Sequence, residues 1–168
     1  MPNPEWTEGK LEFDFSGAIA PVKKPDTLES QLKCVDFLAI YPTETWLIEC
    51  KDPEAAGLAH QVGSIKGMLT NIQNDSLLKS HLLPKIYGTY AYLAMSETLP
   101  QVMIRYGVVV GLSTLDAPTR NILSDKIQRV IDQVGPKSPH TQAVPIVDFH
   151  NVASWNAMFP DKQITRHP

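Results

Sequence analysis

Apolar positions fall into blocks with two spacings along this chain. From Lys10 to Phe15 polar and apolar residues alternate, which predicts a strand with Leu11, Phe13 and Phe15 facing inward. Gly17 breaks it, and Ala18 to Val22 reads as a second short strand closed by Pro25. Asp26 with Glu29 three residues on fits a capped helical turn. Two apolar runs follow, Lys33 to Tyr41 and Thr45 to Asp52, joined at Pro42–Thr45 by a loop of hairpin length. Beyond Pro53 the spacing changes. Ala55 to His60 is helix-friendly, and Val62, Ile65, Met68, Leu69 and Ile72 recur at helical intervals, with Gly63 and Gly67 either serving close packing or weakening the helix. Residues 75–95 repeat a helical pattern interrupted by Pro84. Met103 to Leu112 reads as a buried strand. Asp116 to Val134 reads as an amphipathic helix with Ile122, Leu123, Ile127, Val130, Ile131 and Val134 on one stripe, stopped by Gly135 and Pro136. Ala143 to Phe149 fits a strand near a sheet edge, Trp155 to Pro160 a last packed turn, and Thr165 to Pro168 a frayed end. The order predicts a single α/β domain over 1–168, a mixed central β-sheet flanked by α-helices on a strand-strand-helix-strand core.

The hairpin departs from its own pattern. Asp36 interrupts the first apolar run, and Glu49 and Lys51 interrupt the end of the second. An ion in a buried strand costs several kcal/mol unless it is paired or binds metal. Side chains alternate faces, so Cys34, Asp36, Leu38 and Ile40 share one face, as do Leu47, Glu49 and Lys51. Pairing Tyr41 with Trp46 sets Asp36 opposite Lys51 and Leu38 opposite Glu49. Glu49 is then diagonal to Asp36, about 7–8 Å away and within reach of one shared ion. A register one residue off would put the charges on opposite faces. The three charged groups are therefore expected on one patch.

Two carboxylates at a strand end suit Mg²⁺ or Mn²⁺, which take oxygen ligands and keep several waters. The backbone carbonyl of Cys50, between two ligand side chains, is a further candidate donor. Such an ion polarises a phosphoryl oxygen and acidifies a bound water. Lys51 beside it could orient that water or stabilise charge on the phosphate. The competing reading is a plain Asp36–Lys51 salt bridge on the wet face of an edge hairpin. The apolar residues on that same face argue against it.

Asp36, a hairpin turn, then Glu49-Cys50-Lys51 resembles the core of the PD-(D/E)XK nucleases, the restriction-endonuclease-like superfamily. The resemblance covers about residues 30–115. It implies a metal-dependent nuclease hydrolysing phosphodiester bonds in DNA, with Asp36 and Glu49 as metal ligands and Lys51 as catalytic lysine. Val35 stands where the family often has proline. The family usually adds an acid from an upstream helix. Glu5, Glu8, Glu12 and Glu29 are the candidates, and Glu29 leads because it alone lies on a predicted helical turn. Some branches carry Gln-x-x-x-Tyr on the following helix. Gln61 matches the first position, and Ile65 replaces the tyrosine, leaving Gln61 as an accessory candidate for substrate or metal-shell contact. The resemblance also implies nucleic acid as partner and a homodimer that cuts two strands, and the small size fits a role beside a larger protein partner such as a helicase or a defence complex. The alternative is a catalytically inactive nuclease-like module that binds a partner protein or nucleic acid.

Composition narrows the field. With 43% apolar and 20% charged residues, the chain belongs with folded proteins. No apolar run is long enough to span a membrane. The first residues lack a basic segment followed by an apolar one, so a cytoplasmic protein is expected. Cys34 and Cys50 are expected to be reduced, and no Cys/His spacing suggests zinc. A net charge of −3 argues against an indiscriminate nucleic-acid binder, although Lys23, Lys24, Lys66, Lys79 and Lys85 could form a local positive rim. Tyr87, Tyr90 and Tyr92 could stack on bases, but packing is the commoner role at such density. Of the histidines, His60 alone follows the charged hairpin closely enough to approach it.

Overall fold

A computed structural model describes residues 6–25, 32–55, 58–96, 100–134 and 145–168. The predicted turn at Asp26–Glu29, and Glu5, lie outside them. Strands β1 (Thr7–Glu8) and β2 (Leu11–Phe13) open the chain, followed by the hairpin β3 (Phe37–Ile40) and β4 (Glu44–Lys51). Next come α1 (Leu58–Gln73), a π-helical segment (Leu77–Leu82), α2 (Leu83–Met95) and β5 (Met103–Val110). The chain ends with α3 (Ala117–Val134), β6 (Ile146–His150), α4 (Val152–Met158) and β7 (Ile164–Arg166).

The main sheet has the order β3-β4-β5-β6, with β3 antiparallel to β4 and the other two pairings parallel. This is the expected mixed sheet on a strand-strand-helix-strand core, with Ile146–His150 at an edge as Pro145 suggested. Its two faces read off β4 by alternation. Leu47 joins Leu38, Tyr106, Val108, Val110 and Phe149 on the face covered by the π-helical segment, α2 and α3. Trp46, Ile48 and Cys50 join Phe37, Ala39 and Val109 on the other. That second face is covered by Phe13 and Ile164 of a smaller sheet, order β1-β2-β7, and by Trp155 of α4. Gly107 makes room there, since a Cβ on it would meet the Trp155 and Trp46 rings at 3.0–3.1 Å.

Several expectations are corrected. The hairpin register sets Ile40 opposite Thr45 and Phe37 opposite Ile48, two residues from the expected pairing. The turn is tighter than expected: β4 begins at Glu44, whose carbonyl accepts the Tyr41 N–H at 2.9 Å. A shift of two preserves every face. Ala18–Val22 is no strand but carries a bend at 19–20, and just beyond it Lys23 makes an isolated bridge to Leu38. The C-terminal residues are not frayed. Strand β7 pairs with β2, and the His167 N–H donates to the Lys10 carbonyl. Ile122 is 66% exposed on α3, while Leu123, Ile127 and Ile131 carry the buried stripe. On α1, Val62 is 77% exposed, and a Cβ on Gly63 or Gly67 would meet nothing within 4 Å, so neither glycine serves close packing.

Pro84 does not end the second helical block. The Leu83 N–H reaches back to Leu78, and Pro84, lacking an N–H, sits in the first turn of α2. The Leu82 carbonyl accepts the Tyr106 hydroxyl at 3.0 Å. The helix then runs against the chain entering β3. A Cβ at Gly88 would lie 1.9 Å from the Lys33 carbonyl oxygen, so only glycine permits this approach. One residue on, the Thr89 hydroxyl accepts the buried Val35 N–H at 2.9 Å and donates to the Lys85 carbonyl at 2.8 Å. Gly88→Ala should therefore lower stability by about 2 kcal/mol or more through overpacking. Urea denaturation measures this, and a midpoint equal to wild type would refute the contact.

Candidate metal centre

The docking of α2 builds the site. The chain bends at Asp36, which is buried beside the end of β3. Asp36 Oδ2 accepts the Cys50 N–H at 2.7 Å, and Oδ1 accepts from Lys85 Nζ at 2.8 Å. Glu49, whose side chain is fully buried, points to the same helix-covered face. Lys85 Nζ lies 3.0 Å from its Oε2, and Lys51 Nζ sits against its Oε1. Thus Asp36, Glu49 and Lys51 converge, as strand alternation predicts. The cation between the two carboxylates is Lys85, a residue expected on a positive rim. Among the described residues, the corrected register puts no direct Asp36–Lys51 ion pair here.

The electrostatics are unusual for a strand. Both Glu49 oxygens are buried next to ammonium groups, yet neither has a hydrogen bond of directional geometry. Burial, and then the neighbouring Asp36 carboxylate, pushes the Glu49 pKa up to about 7 against the pull of Lys51 and Lys85. Burial acts to lower the Lys85 pKa, but Glu49 and Asp36 outweigh it and hold the ammonium charged. Burial also raises the Cys50 thiol, with Asp36 adding to the effect, so this is no reactive thiolate. Cys34 and Cys50 are both free and buried.

As metal ligands these groups form a small, hard donor set. Among the described residues no three His, Cys, Asp or Glu side chains group as metal ligands. Protein donors would be the two carboxylates and the Cys50 carbonyl. The Lys51 carbonyl accepts from Gly111 toward β5, so by alternation the Cys50 carbonyl leaves on the Asp36 edge, as its N–H does. Two carboxylates and several waters match the habit of Mg²⁺. The undirected, buried Glu49 oxygens fit such a group.

The other candidates are engaged elsewhere. Gln61 donates to the Glu54 carbonyl at 3.2 Å and braces the turn after β4. Glu12 meets His167 at 2.6 Å, and Glu8 lies 3.8 Å from Lys24. Glu29 falls outside the described residues, and His60 is exposed on α1. Tyr90 is buried and Tyr92 partly so, in keeping with packing, whereas Tyr87 is 38% exposed. Lys85 was the residue missed. Its signal was a lysine one helical turn before a Gly-Thr pair in an otherwise apolar helix. Comparison with protein-family models, curated proteins and solved structures found no match to this chain.

Because Glu49 titrates above its ordinary value of 4.5, the cost of burying its anion is absent at lower pH, grows up to about pH 7 and is constant above. Glu49→Gln removes that cost. Melting curves in chelator should show the variant gaining on wild type between pH 5 and pH 8. A difference flat in pH would contradict the raised pKa.

Proposed function

We propose that this protein is a divalent-metal-dependent nuclease, built on a restriction-endonuclease-like arrangement and acting on phosphodiesters in DNA. The observation that carries the reading is the meeting of two buried carboxylates, Asp36 and Glu49, on one cation position within 3.0 Å of each, with Lys51 alongside. Asp36, just before β3, and Glu49 on β4 are buried on one face of the hairpin, where an ion pair is weak support for stability. A Mg²⁺ or Mn²⁺ ion held there would supply Lewis acidity and an acidified water. Asp36, locked by the Cys50 amide, fixes the ligand geometry. Lys51, partly exposed at the strand end, is placed to orient an attacking water and to neutralise charge on the phosphate. Water attacks phosphorus as the bond to the leaving oxygen breaks, and that oxygen takes up a proton. The reading is of a cytoplasmic protein, with two free thiols in keeping with it.

One observation favours the alternative, a nuclease-like module without turnover. Lys85 already bridges both carboxylates and, with Lys51, balances their charge, and a scaffold needs nothing more. Among the described residues no upstream acid joins the pair. No described helix is long and apolar enough to cross a membrane, so neither reading involves a membrane-spanning helix.

The two readings separate on metal and turnover. The nuclease should bind Mn²⁺ in calorimetry and cut duplex or single-stranded DNA. Asp36→Asn should abolish the heat. Lys51→Ala should cut cleavage by at least 100-fold with only a small loss in melting temperature, because Lys85 still neutralises Glu49. Full activity in Lys51→Ala, or no Mn²⁺ heat and no cleavage in wild type, rejects the nuclease.

A further inference from the structure

Resting on the metal-site reading, we infer that Lys85 is a working part of the site: an internal cation that holds the Asp36 and Glu49 carboxylates together, yields them to a divalent ion, and then binds the substrate phosphate. Three observations carry this. First, the Lys85 ammonium stands at 2.8 Å from Asp36 Oδ1 and 3.0 Å from Glu49 Oε2, between the two groups that would ligate the ion. Ammonium and ion cannot both occupy that position. Secondly, the charges balance when both acids are ionised. Two carboxylates then face two ammonium groups, so the pocket is neutral and has little attraction for a phosphodiester. A divalent ion added to the same four side chains leaves two net positive charges beside it, which suits an anionic backbone. Thirdly, the Lys85 side chain is 19% exposed, whereas Glu49 is sealed. A lysine has a flexible four-carbon stem. Lys85 therefore has a path from the carboxylates toward solvent while its helix stays fixed by Gly88 and Thr89.

This makes metal and lysine competitors for one pair of carboxylates, and metal and phosphate partners. Lys51 cannot fill the same role, because among the described residues it pairs with Glu49 and not with Asp36. Lys85 joins both acids, reaching Asp36 across forty-nine residues of sequence.

Lys85→Met keeps the stem and removes the charge. Two titrations of the full chain test it. Mn²⁺ alone, followed by calorimetry, should bind Lys85→Met at least tenfold more tightly than wild type. A short DNA duplex in Ca²⁺, which takes the same oxygen donors, should bind Lys85→Met at least tenfold more weakly. Equal Mn²⁺ affinity in the two proteins overturns the competition and leaves the metal site standing. Equal DNA affinity, or no DNA binding by either, overturns the phosphate role. No Mn²⁺ binding by either removes the inference and the metal reading together. Should Lys85→Met fail to fold, wild type with ¹⁵N-lysine decides the point. The Lys85 Nζ resonance should move on adding Mg²⁺ and again on adding DNA, and a resonance unmoved by Mg²⁺ refutes displacement.

Discussion

Two carboxylates removed from water within reach of one ammonium group constrain everything around them. Asp36 and Glu49 repel each other, and burial magnifies the repulsion. The pair persists because α2 brings Lys85 between them. That delivery needs the helix to come closer to the Lys33–Val35 backbone than any side chain at position 88 would allow. A glycine, a threonine hydroxyl and a lysine on one face of α2 thus act as a unit: contact, register, charge. Pairing of this kind is weak support for stability, since the desolvation cost offsets much of the attraction.

The rest of the molecule holds this corner still. The main sheet is clad on both faces, with α2, α3 and the π-helical segment on one side and the small sheet with α4 on the other. Cladding keeps β4 buried along nearly its whole length. Its two end residues, Glu44 and Lys51, regain solvent. The charged groups lie where β4 passes from core to surface, at the carboxyl end of parallel strands. That is where α/β sheets generally present their chemistry.

What the sequence made legible follows from which interactions are local. Strand alternation has a period of two, so Asp36, Glu49 and Lys51 fall on one face whether the hairpin pairs Tyr41 with Trp46 or, as found, Ile40 with Thr45. The convergence survived a register error because that error was even. Helical periodicity located α1, α2 and α3, but it could not show that Ile122 looks outward while Leu123 looks inward. Those are neighbouring positions on one helix, and tertiary contact decides between them. Lys85 was illegible because its role depends on where a helix forty-nine residues away comes to rest. Strand β7 was illegible for a like reason. Three residues near the end have no pattern of their own and become a strand only because β2 offers a free edge.

The wide turn before Pro84 has a further consequence for how this chain tolerates change. Each residue in an α-helix advances the side-chain direction by about 100°, and the π-helical segment inserts its own offset between α1 and α2. Deleting or inserting one residue between Leu77 and Leu82 would turn Lys85, Gly88 and Thr89 together away from the hairpin, like a key withdrawn from its wards. Length in that segment is therefore under tighter restraint than identity. Relatives of this protein should vary freely in which apolar residues they carry there, and hardly at all in how many.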